Sequence, residues 1–188
     1  MRVISGKYKG RNIKGFDIIG TRPTMDRVKE SLFATINNKL KNSVILDLFA
    51  GSGNLGIEAL SNGSVEAYFV DNNKVAIKVI KDNIRDLKIT EKVNIYNMDY
   101  LDALKYFKNN NIKFNIIFLD PPYKDKILSN ILELINNYDL LFDDGIIVLE
   151  YDSGNIEYDK YELIKNKKYG NKYIMILKSV KLKTKFSK

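Results

Sequence analysis

The most specific chemistry in this sequence lies in Asp120-Pro121-Pro122-Tyr123, which follows directly on the apolar run Asn115–Leu119. Two prolines past the end of a strand would hold the Asp120 carboxylate and a neighbouring main-chain carbonyl as acceptors in a rigid loop. Tyr123 adds an aromatic face on which a planar base can stack. These groups suit an exocyclic amine of a nucleobase, whose nitrogen is a poor nucleophile because its lone pair is delocalised into the ring. Accepting hydrogen bonds from both N–H groups draws that nitrogen toward tetrahedral geometry and aims its lone pair at an electrophile. The proton then released can pass to Asp120.

What the sequence lacks narrows the chemistry further. There are no cysteines and no histidines. Disulfides, thiolate metal sites, imidazole bases and Ser-His-Asp triads are therefore excluded, and no metal centre is expected. Cytosine-C5 methylation, which needs a cysteine nucleophile, is disfavoured, whereas attack by an amine needs no covalent intermediate.

A second constellation precedes the first. In Asp47-Leu-Phe49-Ala-Gly51-Ser-Gly53-Asn-Leu-Gly56 the three glycines satisfy G-x-G-x-x-G, a tight turn from strand to helix that lets the backbone approach a nucleotide. Asp71, in Val70-Asp71-Asn72, stands twenty residues after Gly51, where a carboxylate can accept from both hydroxyls of a ribose. Asp99 could receive an adenine amino group, and it could equally cap a helix. These residues alone fit a dinucleotide as well as S-adenosylmethionine. Asp120–Tyr123 decides for the latter, whose methyl sulfonium is the electrophile an activated amine requires.

The surrounding pattern supplies the elements that must position these groups. Val44–Phe49, Ala67–Val70, Val93–Tyr96, Asn115–Leu119 and Gly145–Glu150 are short and apolar on both faces, as buried parallel strands are. Residues 54–61, 73–87, 101–109 and 125–138 have helical spacing between them. The alternation predicts an α/β fold: a Rossmann-like, mainly parallel sheet with helices on both faces and a ligand crevice at the carboxyl ends of the strands. Upstream, Met25–Leu40 reads as a helix with Thr24 as its N-cap, and residues 2–20 as a small β-hairpin. Downstream, Tyr161–Ile164 and Tyr173–Leu177, joined by Lys165–Lys172, read as an antiparallel finish that brings the sheet to seven strands. The division expected is a basic hairpin appendage over 1–20, one catalytic domain over 21–180 and a basic tail over 181–188.

Charge is segregated along the 188 residues. Residues 1–30 hold eight Lys/Arg against three Asp/Glu and residues 160–188 hold ten against one, which from a total of +8 leaves residues 31–159 at −6. Basic ends around an acidic centre suit a polyanion gripped outside a small-molecule site, with Lys7, Lys9 and Arg11 as candidate RNA contacts. No apolar run approaches the roughly 20 residues of a membrane span, and no signal-peptide pattern opens the chain, so a cytoplasmic protein is expected; the sequence leaves the oligomeric state open, with a monomer as the simpler expectation.

With these motifs in order, the sequence resembles the class I methyltransferases, and specifically the bacterial 16S rRNA guanine-N2 methyltransferases of the RsmD family. The opening Met1–Lys7 with Gly10-Arg11, the segment Arg22-Pro23-Thr24-Met25-Asp26-Arg27-Val28-Lys29-Glu30-Ser31-Leu32-Phe33, Asp47–Gly56, Asp120–Tyr123 and Tyr169-Gly170 follow the family's sequence of signatures. Ala34 and Asn171 depart from it, where an asparagine and an acidic residue are usual. The resemblance implies that Arg22, Pro23 and Thr24 lie near the methionine end of S-adenosylmethionine. It also implies that Asp47, Phe49, Gly51 and Gly53 line the cofactor, that Asp71 with Asn72 holds the ribose, and that Asp99 meets the adenine. The implied substrate is one guanine in 16S rRNA, free or in a small-subunit assembly intermediate. Three rivals stand beside it: a DNA or RNA adenine-N6 methyltransferase, a nicotinamide-dependent oxidoreductase using the same glycine motif, and a non-catalytic RNA-binding protein.

Overall fold

The computed structural model describes residues 1–15, 23–121, 125–152 and 155–180. Its elements in chain order are α1 (Pro23–Leu40), β1 (Val44–Asp47), α2 (Asn54–Ser61), β2 (Glu66–Asp71), α3 (Lys74–Asp86), β3 (Lys92–Asn97), α4 (Tyr100–Asn109), β4 (Phe114–Leu119), α5 (Asp125–Asn137), β5 (Leu141–Tyr151), β6 (Tyr161–Tyr169) and β7 (Lys172–Ser179). One seven-stranded sheet results, in the order β3-β2-β1-β4-β5-β7-β6. The first five strands are parallel, and β7 and β6 close the edge antiparallel. The fold class expected from the alternation is the one observed.

Apolar side chains on the two faces of the sheet make two cores. Leu32, Phe33 and Ile36 of α1, Ile57 and Leu60 of α2, and Ile77 and Ile80 of α3 pack on one face. Leu104 and Phe107 of α4 and Leu128, Ile131 and Ile135 of α5 pack on the other. Strands buried on both sides are apolar at nearly every position, which is why Phe114, Ile116, Ile117, Phe118 and Leu119 of β4 are all 0–1% exposed.

Three boundaries correct the sequence expectation. Helix α1 begins at Pro23, where a proline costs no hydrogen bond, so Thr24 lies inside the helix rather than capping it. The expected hairpin over 2–20 is held by one antiparallel bridge, Arg2 to Asn12, with backbone bonds from Val3 N to Arg11 O and from Gly10 N to Val3 O; residues 16–20 lie outside the described residues. The supposed connection Lys165–Lys172 is mostly strand. β6 runs on to Tyr169, and Gly170 (φ +64°) with Asn171 forms a two-residue turn into β7, the geometry of a type II′ hairpin. Among the described residues no helix is long and apolar enough to cross a membrane.

The N-terminal segment is built into the core: Val3, Tyr8 and Ile13 are 1–3% exposed. It is fastened through a buried ion pair in which Lys29 Nζ of α1 stands 2.9 Å from Glu58 Oε2 of α2, the side chains 5% and 0% exposed. Lys29 also donates to Arg2 O (2.7 Å) and to Asn54 Oδ1 (2.8 Å), which occupies all three ammonium protons. Glu58 in turn accepts from the Ile4 and Ser5 amides and from the Ser5 hydroxyl. Burial pushes the Lys29 ammonium below its ordinary pKa, and the Glu58 charge opposes that shift. Glu58→Gln keeps a carbonyl acceptor for the amides but leaves the ammonium buried without its counter-charge, so stability is expected to fall by about 3 to 5 kcal/mol. Urea unfolding at neutral pH measures it, and a loss below about 1 kcal/mol would show that the pair is dispensable.

Candidate active site

Four aspartates sit at the carboxyl ends of four adjacent strands: Asp99 just beyond β3, Asp71 ending β2, Asp47 ending β1 and Asp120 just beyond β4. Strand order reverses between β1 and β4, because β2 and β3 lie to one side and β4 and β5 to the other. A crevice opens at such a switch point, and both the glycine turn and Asp120 flank it.

The glycine turn is held from below and from the side. Asp47, 3% exposed, accepts from Gly56 N through Oδ2 at 3.1 Å, which ties the end of β1 to the first turn of α2. Gly51 N donates to Asp71 Oδ2 at 2.9 Å, and Gly53 N to Ala50 O at 2.7 Å. Gly53 takes φ +79°, a left-handed conformation that glycine adopts without strain. Gly56 answers to a different constraint: a Cβ there would stand 2.3 Å from Cε1 of Phe69 on β2, so only glycine lets α2 lie this close to the sheet.

Burial raises the Asp47 carboxyl to about 7; the bond from Gly56 opposes this, and the negative charges of Asp120 and Asp71 add to it. Asp120 is exposed at the rim, while Pro121 beside it is buried. Asp71 and Asp99 serve the fold as well as offering a ligand site. Asp71 Oδ1 accepts from Asn73 N, and Asp99 caps α4 by accepting from Leu101 N, each at 2.8 Å. Asn73, rather than Asp71, caps α3. Asn72 is exposed beside them, and the half-buried Phe49 ring lies 5.6 Å from that of Tyr100.

Of the residues expected at the site, Asp47, Phe49, Gly51, Gly53, Asp71, Asn72, Asp99, Asp120 and Pro121 come together at this end of the sheet. Arg22, Pro122 and Tyr123, and the side chains of Pro23 and Thr24, lie outside the described residues. Lys7, Lys9 and Arg11 are not brought to the crevice. Lys7 Nζ donates to Glu91 and Thr90, and Arg11 to Leu87 O, at the amino-terminal end of β3. The hydrogen bond to Glu91 holds the Lys7 ammonium above its usual pKa.

Sequence reasoning overlooked Lys172 and Glu150, which form an ion pair at the carboxyl end of β5 beside Asp120. Burial works to lower the Lys172 pKa, but the Glu150 bond and the charges of Glu150, Asp120 and Asp152 outweigh it and raise the group. The Gly170-Asn171 pair was the available signal, since a two-residue hairpin there sets Lys172 opposite Tyr169 and Tyr173 opposite Tyr151 at the end of β5.

This fold, with a glycine turn, a carboxylate at the end of β2 beside it and an acidic rim at the switch point, is that of the class I S-adenosylmethionine-dependent methyltransferases. Residues 1–178 match the family model described as conserved hypothetical protein 95, and the chain belongs to that family, the RsmD family. It is 47% identical over 152 residues to the YlbH protein of Bacillus subtilis, named as an rRNA methyltransferase, covering 81% of this chain and 83% of that one. It is 34% identical over 173 residues to the ribosomal RNA small subunit methyltransferase D of Haemophilus influenzae, covering 90% and 89%. A solved structure of the yhhF protein of Escherichia coli, named as a methyltransferase, superposes with a TM-score of 0.81 at 25% identity over 95% of this chain and 97% of that one.

One solved structure that shares this fold, with a TM-score of 0.67 at 16% identity, is named as a methyltransferase complexed with SAH, the demethylated form of S-adenosylmethionine. The local chemistry fits S-adenosylmethionine, because the glycine turn leaves main chain rather than side chains at the ligand face and the four carboxylates favour a cationic ligand.

The elevated Asp47 carboxyl makes a pH-dependent contribution to stability. Its folded-state pKa lies above the unfolded one, so the folded form binds the extra proton between them; the contribution is full below about pH 4 and lost as pH rises through about 7. Asp47→Asn keeps an acceptor for Gly56 N without the charge. The variant is expected to gain a few kcal/mol over the parent at pH 8 and almost nothing at pH 4. Urea unfolding at both pH values checks this, and a pH-independent difference would refute it.

Proposed function

We propose that this protein transfers a methyl group from S-adenosylmethionine to the exocyclic N2 amine of a guanine in small-subunit (16S) rRNA. The observation that carries the reading is the position of Asp120-Pro121, directly beyond β4 and across the switch point from the glycine turn of β1. Asp71 and Asn72 would hold the ribose, Asp99 the adenine, Gly51 and Gly53 the backbone-facing side, and Arg22 to Thr24 the methionine end. Bound there, S-adenosylmethionine supplies an electrophilic methyl group on a sulfonium.

The chain's own residues then act on the guanine. Asp120 and a carbonyl of the Asp120–Tyr123 loop accept from the two N–H groups, raising the nucleophilicity of N2, and Tyr123 stacks on the base. After transfer the nitrogen loses a proton to Asp120. Lys7, Lys9 and Arg11, at the other end of the sheet, would meet RNA away from the target base. The H. influenzae and B. subtilis relatives are named as rRNA methyltransferases, which supports RNA over DNA as the substrate.

Transfer of labelled methyl groups to small-subunit rRNA or particles lacking the modification, followed by nucleoside analysis, tests the reading. N2-methylguanosine is the expected product. N6-methyladenosine would keep the mechanism and change the base, and transfer to DNA alone would overturn the substrate. In the same assay Asp120→Ala is expected to lose about a thousandfold or more in rate. Its affinity for S-adenosylmethionine, measured by calorimetry, should stay within about threefold of the parent; near-normal turnover by Asp120→Ala would sink the role given to the carboxylate.

A further inference from the structure

Strand β6 is built differently in its two halves. Tyr161-Glu162-Leu163-Ile164 contains no lysine, whereas Lys165, Lys167 and Lys168 crowd into the next four positions. Because β6 runs antiparallel to β7, which is antiparallel to β5, this second half lies at the carboxyl ends of the parallel strands, the end that carries Asp120. Lysines on an edge strand commonly block the addition of another strand, and β6 is the edge of this sheet. Lys165 can meet that duty beside Leu163 and Ile164, which are 42% and 50% exposed. Lys167 and Lys168 lie beyond them, toward the crevice.

Their surroundings differ from those of the lysines that the fold ties into ion pairs. Lys172 is paired with Glu150, Lys178 with Asp144 and Lys7 with Glu91. Among the described residues Lys167 and Lys168 have no carboxylate partner, and both are exposed. Each lies over an aromatic ring: Lys167 Nζ is 5.0 Å from the centroid of Tyr169, and Lys168 Nζ 5.3 Å from that of Tyr173. Tyr173 stacks on Tyr151 at 5.0 Å, and Tyr169 shares a hydrogen bond of 2.7 Å with Ser31 of α1. Arg27, exposed, lies one turn before Ser31 on the same face of that helix. Unpaired cations interleaved with tyrosines are what a flexible polyanion with unstacked bases engages, the cations meeting phosphates and the rings meeting bases.

We propose that the crevice-side half of β6, together with Arg27, holds the single-stranded RNA that flanks the target base; this rests on reading the protein as an RNA methyltransferase. Phosphates on either side of a base extended toward Asp120 would reach Lys167 and Lys168 on the two faces of the strand. The surface is separate from Lys7, Lys9 and Arg11, which lie at the opposite end of the sheet.

The test compares Lys167→Glu/Lys168→Glu with Lys78→Glu/Lys81→Glu, a variant of equal net charge altered on the exposed side of α3. Binding of a fluorescent single-stranded RNA oligonucleotide is followed by anisotropy across ionic strengths, alongside methyl transfer to rRNA and calorimetry with S-adenosylmethionine. The β6 variant is expected to lose roughly tenfold or more in RNA affinity and to flatten the log–log salt slope by about 1.4, the share of two phosphate contacts, with cofactor affinity unchanged. The α3 variant should lose far less. Unchanged affinity and slope in the β6 variant, an equal loss in the α3 variant, or no binding by the wild-type protein at low salt would each overturn the surface. Wild-type protein that binds RNA through these lysines yet transfers no methyl group would instead overturn the reaction and leave the surface standing.

Discussion

The arrangement of the site depends on one buried ion pair. Lys29 and Glu58 join α1 to α2 where α2 leaves the glycine turn, and the same ammonium holds the Asn54 side chain and the Arg2 carbonyl. A matched apolar pair would pack the two helices as firmly, because removing two charges from water offsets most of their attraction. It could not hold Asn54, which is the first residue of α2 and follows Gly53 directly. The pair therefore fixes a position as well as a contact. It sets where the helix begins, and thereby where the backbone amides of the turn lie, while the amides of Ile4 and Ser5 on Glu58 make the N-terminal segment a structural part of that corner.

The carboxylates of the rim are prepared in a similar way. Asp71 uses one oxygen on Gly51 N and the other on Asn73 N, and Asp99 uses one on Leu101 N. Each oxygen still has a lone-pair direction to offer. A carboxylate already oriented by backbone amides would lose little conformational freedom on accepting a further donor, so capping and ligand binding are compatible duties of one residue. Helix-capping and cofactor roles looked like alternatives for Asp99 in the sequence; the cap is what the fold shows, and it leaves the proposed cofactor contact open.

What the sequence revealed follows from which interactions are local. The five parallel strands were legible because burial on both faces leaves continuous apolar runs, as in Phe114–Leu119, and the glycine turn because its three glycines are close neighbours. The second half of β6 was not. Asn166, Lys167 and Lys168 are exposed on an edge, so no apolar alternation marks a strand, and only Gly170-Asn171 signalled the turn. The Lys29–Glu58 pair links positions 29 apart in the chain and looks, in sequence, like two ordinary surface charges. The tethering of Lys7 and Arg11 to Glu91 and Leu87 joins residues more than seventy positions apart, so their basic character was visible while their location was hidden.

Charge segregation along the chain becomes segregation in space. The acidic centre of the sequence supplies the four aspartates at the strand ends, and burial, with the charges of Asp120 and Asp71 added, favours the protonated form of Asp47. That field attracts a cationic methyl donor and repels phosphate over roughly a Debye length, about 8–10 Å in physiological salt. On the reading proposed above, a nucleic-acid backbone would be disfavoured along the crevice and an uncharged base favoured there. The cost of unstacking such a base is smallest in single-stranded or loop RNA. On that reading, an acidic cleft with lysines at its margin would favour a base turned away from its own phosphates, so the electrostatics suited to the cofactor would also set how the substrate is presented.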